Sequence, residues 1–174
     1  MKPRTVLIGL ALALVAELVP ALTTPTIAWP KLLLWNASAS APIGLYLLRP
    51  ATSLYIGELV AVMSPPTLAR FMATRRYLPL GVPLLKHVGA LGGQTVCRSA
   101  RTISIDGAAV AKTLDRDSSG QSLPIWQACR TLHVGDVFLL NRTVKASFDG
   151  RYFGVLPITA VTARSVPLWI SKEP

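Results

Sequence analysis

The sequence contains few of the side chains that most often bind metals or cofactors. It has two cysteines and two histidines, His87 and His133, which lie far apart, and it has no CxxC or HExxH motif. Metal sites in proteins usually need such ligands at short, regular spacing. A glycine-rich phosphate loop is also absent. We therefore expect neither a metal ion nor a cofactor.

Acidic residues are also scarce. Eight Asp and Glu stand against 18 Lys and Arg, which gives a formal net charge of +10. This balance suits an anionic partner such as nucleic acid or phospholipid. However, only Arg75 and Arg76 are adjacent basic residues, and no basic stretch alternates with aromatic residues. The pattern argues against nucleic acid binding and favours an anionic lipid surface.

The N-terminal stretch, MKPRTVLIGLALALVAELVPALT, has the pattern of an export segment. Lys2 and Arg4 precede an apolar run from Val6 to Ala16. Such a pattern predicts transfer of the following chain across a bacterial inner membrane, with the positive end left inside. Val19-Pro20-Ala21 resembles a cleavage site, whereas residues 5–22 are long enough for an anchor, so both alternatives stay open.

The 174-residue chain has room for one domain once this segment is set aside. We predict an export signal or membrane anchor at residues 1–23 and one periplasmic domain at residues 24–174. In an oxidising compartment Cys97 and Cys129 are expected to pair, the alternative being two buried thiols. A bridge of this span would stabilise the fold by about 3 to 4 kcal/mol.

Short apolar runs separated by turn residues follow Trp35 and predict a mainly antiparallel β domain. Asp106-Gly107 is a strong signal for a two-residue hairpin turn. One short helix is expected near residues 65–74, and the polar residues 114–124 are expected to form an exposed loop. The predicted strands are 44–48, 59–63, 84–90, 94–98, 102–105, 108–112, 137–141 and 158–163.

Two stretches carry candidate hydroxyl and amine chemistry. NASASAPIGLY, residues 36–46, is either an ordinary turn or a rigid bend that presents a serine nucleophile. In GVPLLKHVGAL, Lys86 stands among apolar residues, where loss of hydration would lower its pKa and make it a general base. Alternation along the strand favours instead a Lys86 that faces solvent.

A third stretch, SFDGRYFGVLP at residues 147–157, sets polar groups among aromatic residues. Asp149 and Arg151 could form a surface ion pair in an edge turn, which would contribute little to stability. The density of Ser, Asp and Arg among aromatic residues points alternatively to a specific hydrogen-bond network.

These three stretches, in this order behind an N-terminal apolar segment, resemble the TraF-type conjugal transfer peptidases, which belong with the type I signal peptidases. The resemblance covers about residues 36–169. It implies a signal-peptidase-like antiparallel β domain behind one N-terminal hydrophobic helix, and a Ser-Lys catalytic dyad. The family's nucleophile, the last serine before the proline, falls on Ser40, with Ser38 as the fallback nucleophile, and its general base falls on Lys86.

The resemblance also assigns the supporting groups. Ser38 and the main-chain N–H of Ser40 match the oxyanion donors, and Ser147 matches the hydroxyl that orients the lysine. Asp149 and Arg151 match a structural ion pair beside the site. Ala41, Gly92 and Gly150 depart from the signal peptidase pattern, where Met, Pro and Ser are usual, which leaves the shape of the substrate pocket open.

The function implied by the resemblance is maturation of a pilin precursor for a conjugative type IV secretion apparatus, at the periplasmic face of the inner membrane. Cleavage and cyclisation are both compatible with the sequence. Three alternatives are a general type I signal peptidase, a non-catalytic assembly factor of the same apparatus, and a self-cleaving repressor. The export segment argues against the repressor, while the assembly factor would have a solvated Lys86 distant from Ser40.

Overall fold

Antiparallel strands account for most of the regular secondary structure. The computed structural model describes residues 32–171, so the predicted export segment lies outside the described residues. Within that range no helix is long and apolar enough to cross a membrane. The helices of this range are α1 (Pro66–Thr74), α2 (Gly150–Phe153) and a 3₁₀ turn (Ile158–Ala160). Its strands are β1 (Leu33–Asn36), β2 (Gly44–Arg49), β3 (Leu59–Val62), β4 (Leu84–Leu91), β5 (Thr95–Ser99), β6 (Thr102–Ile105), β7 (Ala108–Lys112), β8 (Ala128–Thr131), β9 (Asp136–Leu139), β10 (Val155–Pro157) and β11 (Val161–Ile170).

The strands form two antiparallel sheets. The large sheet has the order β1-β2-β11-β3-β4-β9-β10, and the small sheet has the order β7-β6-β5-β8. Because β4 is an inner strand of the large sheet and leads directly towards β5, it joins the two sheets along the chain. This inner position decides the environment of the lysine on β4.

The predicted hairpin turn has the expected geometry. Asp106 and Gly107 both have positive φ, at 50° and 82°, and they connect Ile105 to Ala108, which face each other across β6 and β7. A two-residue turn of this type matches the right-handed twist of the flanking strands. The hairpin prediction is therefore confirmed.

The hydrophobic core covers both faces of β4. Leu84 and Val88 pack with Met72 of α1 on one face, and Leu85 packs with Tyr46 on the other. A further cluster joins the large and small sheets through Phe138, Leu140, Val96 and Ile103. Since neither face of β4 is left to water, alternation along it does not separate buried from solvated side chains.

The prediction of a mainly antiparallel β fold is confirmed, with corrections to individual strands. Seven of the predicted strands coincide with observed ones to within two residues. The predicted strand 158–163 is wrong at its start, because residues 158–160 form a 3₁₀ turn and β11 then continues to Ile170. Strands β1, β8 and β10 were not predicted. They have three or four residues each, too few to show a period.

Candidate active site

The NASASAP segment forms a turn held from within by Asn36, the last residue of β1. Its side-chain Nδ2 donates hydrogen bonds to the carbonyls of Ser38 (2.9 Å), Ala41 (3.1 Å) and Pro42 (3.0 Å). Its Oδ1 accepts from the Ser38 N–H at 3.1 Å. Asn36 is itself buried. The turn is therefore a rigid element rather than a loose connection, because one amide satisfies four of its main-chain groups.

Ser38 and Ser40 lie side by side on this turn. Their Oγ atoms are 3.0 Å apart, and the Ser40 N–H donates to Ser38 Oγ at 3.3 Å. The Ser38 hydroxyl thus contacts both the Oγ and the N–H of its neighbour. Two hydroxyls and one N–H therefore lie within a few ångströms of one another.

Lys86 is buried on β4, with 1 % of its surface exposed. It shares a strand face with Leu84 and Val88, so it points towards the α1 side of the core. The alternation argument that placed Lys86 in solvent is wrong, because both faces of this strand are covered. Its Nζ donates to Ser147 Oγ at 3.0 Å.

Burial lowers the pKa of Lys86 from 10.5 to about 8, since the charged ammonium loses its hydration. The Asp149 carboxylate partly opposes this shift, while the Arg151 guanidinium adds to it. Near neutral pH a fraction of the side chain is therefore an uncharged amine. An uncharged amine has a lone pair, so Lys86 is a candidate proton acceptor.

Arg151 is 1 % exposed and pairs with Asp149, which is fully buried. Nε and Nη2 of the arginine donate to the two carboxylate oxygens at 2.8 Å each. The same guanidinium donates to the carbonyls of Lys145 (3.0 Å), Val144 (2.7 Å) and Ser147 (3.2 Å). The ion pair is thus not on the surface: it holds the loop that presents Ser147 to Lys86.

Gly150 is one of the departures from the signal peptidase pattern, and its site explains it. A Cβ added there would lie 2.6 Å from the Phe138 ring and 2.7 Å from the Leu139 carbonyl. Real Cβ atoms do not approach other atoms so closely, so the site accepts only glycine while this packing is kept.

A cleft of about 290 Å³ brings these groups together. Ser38, Ser40, Lys86 and Ser147 all line it. Its other walls are largely apolar and come from α1, from the chain after α1 and from residues 114–123. No hydrogen bond within residues 32–171 joins Ser40 to Lys86. The two residues are related because both line the same cleft. A concave, mostly apolar site with a few convergent polar groups is typical of a binding site.

The remaining predicted residues lie away from the cleft. A disulfide joins Cys97 on β5 to Cys129 on β8, which are paired neighbours in the small sheet. The histidines do not meet: the ring of His87 contacts Asn141, and the ring of His133 lies 3.4 Å from Asp136. Among the described residues there is no group of three or more metal-ligating side chains.

Sequence reasoning missed two buried asparagines of the site, Asn36 and Asn141. Asn36 begins the motif that drew attention to the serines, and an asparagine before a turn is a recognised turn-forming signal. Asn141 carries no such signal. Its Nδ2 donates to the carbonyl of Ser40, which lies 101 positions earlier in the chain.

Comparisons with known proteins identify related sequences. The family model "Signal peptidase, peptidase S26" matches residues 4–169. The chain is 30 % identical over 171 residues to a probable conjugal transfer protein TraF of Sinorhizobium fredii, covering 92 % of this chain and 87 % of the relative. It is 36 % identical over 148 residues to the conjugal transfer protein TraF of Agrobacterium fabrum, covering 77 % and 80 %.

Partial similarity to a solved structure is also found. A signal peptidase I from Enterococcus faecalis superposes with a TM-score of 0.39 at 19 % identity, covering 65 % of this chain and 97 % of the other.

Proposed function

The chain belongs to the peptidase S26 signal peptidase family and is a TraF-type member of it, and on this basis we propose that it is a serine endopeptidase with a Ser40-Lys86 dyad. The observation that carries the proposal is the buried Lys86, with a pKa of about 8, lining the same cleft as Ser40. A solvated lysine would be charged at neutral pH and unable to accept a proton.

In the proposed reaction, neutral Lys86 Nζ takes the proton of the Ser40 hydroxyl as Oγ attacks the carbonyl carbon of a peptide bond. The tetrahedral oxyanion accepts hydrogen bonds from the Ser40 N–H and the Ser38 hydroxyl. When the C–N bond breaks, the Lys86 ammonium returns the proton to the leaving amine, which leaves an ester on Ser40. Water then hydrolyses the ester, or a substrate amine attacks it and forms a new peptide bond.

The resting contacts fit these roles. The Ser40 N–H and the Ser38 hydroxyl already bond to each other. When an oxyanion forms beside them, this hydrogen bond would break and both groups would donate to the oxyanion. Ser147 Oγ accepts from Lys86, which fixes the amine in its pocket. Asp149 and Arg151 act at one remove, by holding the loop that carries Ser147.

We propose that the substrate is a pilin precursor and that the partners are components of a conjugative type IV secretion apparatus. This rests on the relatives whose names are conjugal transfer protein TraF. The non-catalytic assembly factor required a solvated Lys86, whereas Lys86 is 1 % exposed. A general signal peptidase shares the dyad and differs in having many exported proteins as substrates.

The test is a trap for the acyl-enzyme. The full chain in detergent is mixed with a pilin-derived peptide, quenched, and searched by mass spectrometry for an ester on Ser40. Ser40→Ala and Lys86→Ala should abolish the adduct, and Ser38→Ala should slow it by about 10² to 10³, as loss of one oxyanion donor does. Ser99→Ala, an exposed serine of the small sheet, is the matched control.

Equal processing by all these variants, or no adduct with a peptide that cells carrying the protein do process, would remove the proposed dyad. A head-to-tail peptide product would indicate cyclisation, and two free fragments would indicate hydrolysis. Comparable cleavage of unrelated export signals would favour a general signal peptidase instead.

We also propose that the domain lies against the periplasmic face of the inner membrane. Trp35 and Trp169 stack with ring centroids 5.8 Å apart, and both are more than half exposed. They flank Leu45 on neighbouring strands. Together with other exposed apolar residues they form what we call the edge patch: Leu32, Leu33, Trp35, Ile43, Leu168, Trp169 and Ile170. Tryptophan is enriched where proteins meet the bilayer interface, and the net charge of +10 suits anionic head groups.

Tryptophan quenching would test this location. The full chain is placed in phosphatidylethanolamine and phosphatidylglycerol vesicles whose acyl chains carry bromine. Replacing Trp35 and Trp169 by Phe should remove much more of the quenchable fluorescence than the control Trp126→Phe. An equal loss in the two variants would place the edge patch in water.

A further inference from the structure

Asn141 is a buried residue directly beyond the β4–β9 ladder, and it has no place in the dyad chemistry. It is 1 % exposed. The ladder between β9 and β4 ends at Leu139 and Val88, and the last main-chain bond runs from the Leu140 N–H to the His87 carbonyl at 2.9 Å. Beyond that bond, the edge of β4 that faces β9 has no strand partner beside Lys86, whereas the opposite edge pairs with β3.

The side chain of Asn141 takes the place of that missing strand. Its Oδ1 accepts from the His87 N–H at 2.9 Å, and its Nδ2 lies 3.4 Å from the Leu85 carbonyl. These two main-chain groups flank Lys86 on either side. A carboxamide carries both an acceptor and donors, as the edge of a strand does. It can therefore bond to the His87 N–H and to the Leu85 carbonyl at once.

The same Nδ2 also donates to the main-chain carbonyl of Ser40. Only one orientation of the amide serves all partners, because the N–H of His87 needs an acceptor and the carbonyls of Ser40 and Leu85 need donors. The Asn141 N–H, in turn, donates to Asp149 Oδ2 at 3.0 Å. One buried residue therefore contacts the segment of the nucleophile, the strand of the base and the ion pair behind them.

We propose that Asn141 is a positioning residue that sets the distance between Ser40 and Lys86. Within the described residues no hydrogen bond joins Ser40 to Lys86, and the two residues lie on elements that are far apart in the sequence. The Asn141 amide is a direct physical link between those elements. The inference rests on the proposed Ser-Lys function and adds a residue through which its geometry is held.

Two substitutions separate positioning from simple closure of the strand edge. Asn141→Ala removes every side-chain contact. Asn141→Asp keeps the shape and the acceptor for His87 but replaces the donor to Ser40 and Leu85 with an oxygen. If Asn141 only completes the edge of β4, both variants should lose stability while kcat of the folded protein and exchange in residues 36–42 stay those of Ile103→Val. Ile103→Val, which removes one buried methyl group from the small sheet, controls for a general loss of stability.

Both Asn141 variants should lower kcat for the pilin-derived peptide by roughly 10-fold to 100-fold, because small misplacements of reacting groups have effects of that size. KM should change less than about twofold, since Asn141 does not line the cleft. The pH midpoint of Asn141→Ala should stay that of the wild type, because the burial and charges around Lys86 remain. A kcat for Asn141→Asp equal to that of Ile103→Val would overturn the inference and leave the dyad intact.

A second measurement does not depend on activity. Hydrogen–deuterium exchange of residues 36–42 in the full chain should be faster in both Asn141 variants than in the wild type and in Ile103→Val. Unchanged exchange there would refute the positioning role even if the dyad itself proved wrong. Faster exchange with an inactive wild type would support the link to Ser40 and count against the proposed function alone.

Discussion

Lys86→Met should inactivate the protein and stabilise its fold at neutral pH. The folded-state pKa of Lys86 is about 8, against 10.5 for an unperturbed lysine. The folded state therefore holds this proton less tightly than the unfolded chain does. Each pKa unit corresponds to about 1.4 kcal/mol, so the buried ammonium costs about 3 kcal/mol of folding free energy at pH 7.

The sign and the pH window follow from the two pKa values. Below pH 8 both states are protonated and the full cost applies. Between pH 8 and 10.5 the unfolded chain binds more protons than the folded protein, so the stability of the wild type rises with pH. Methionine has a similar length and no charge, but it loses the hydrogen bond to Ser147, a loss of about 1 kcal/mol. The net gain for Lys86→Met is about 2 kcal/mol at pH 7, and it should vanish near pH 10.

Urea unfolding of both proteins at pH 7 and pH 10 measures this difference. All other titrating groups are shared, so the change in the difference between the two pH values reports Lys86 alone. A methionine variant that is equally stabilised at both pH values would show that Lys86 is not titrating with a lowered pKa. A variant destabilised at pH 7 would show that the buried amine contributes favourably to the fold.

Three further predictions concern the groups around the dyad. The value of kcat/KM should rise with pH with a midpoint near 8, because only neutral Lys86 accepts the serine proton; a flat profile between pH 6 and 9 would contradict this. Arg151→Met leaves the Asp149 carboxylate buried without its partner and should lower the free energy of unfolding by about 3 to 5 kcal/mol, measured in urea; Asp149→Leu combined with Arg151→Met should lose less. Replacing Cys97 and Cys129 by serine opens a loop of 32 residues and should cost about 3 to 4 kcal/mol by the same assay; an unchanged midpoint would count against the bridge.

The parts of the fold that the sequence predicts correctly are those with local causes. The Asp106-Gly107 turn depends on two residues that accept positive φ, and β6, which precedes it, alternates clearly between buried and less buried residues. Strand β8 has no comparable signal, since all four of its residues are exposed and it exists only because β5 pairs with it. Short edge strands depend on partners far away in the chain, which a local pattern does not contain.

The candidate site divides in the same way. The serine turn is a local feature of the sequence, and the structure has it as a turn. The environment of Lys86 depends on what covers both faces of β4, so alternation alone gave the wrong side. Asn141 and Arg98 could not be found from local pattern, because an amide or guanidinium gains its role from carbonyls that folding brings to it.

Arg98 offers a test of how far this long-range organisation extends from the dyad. It is 5 % exposed, on β5, and donates to the carbonyls of Pro124 (3.2 Å) and Arg151 (2.8 Å), with Thr113 Oγ1 at 3.5 Å. Thr113 and Pro124 bracket residues 114–123, which form one wall of the cleft. The guanidinium thus ties both ends of that wall to the helix that carries Arg151.

Arg98→Met should lower the free energy of unfolding by about 1 to 3 kcal/mol, because buried carbonyls lose their donor. Since the wall of the cleft would loosen while Lys86 keeps its surroundings, KM for the peptide should rise and the pH midpoint should stay near that of the wild type. Arg98→Lys keeps the charge without the fork and should raise KM as well. A fall in kcat with no change in KM would contradict this. It would show that the Arg98 guanidinium acts on the dyad through Arg151, and that its bonds near Thr113 and Pro124 do not shape the cleft.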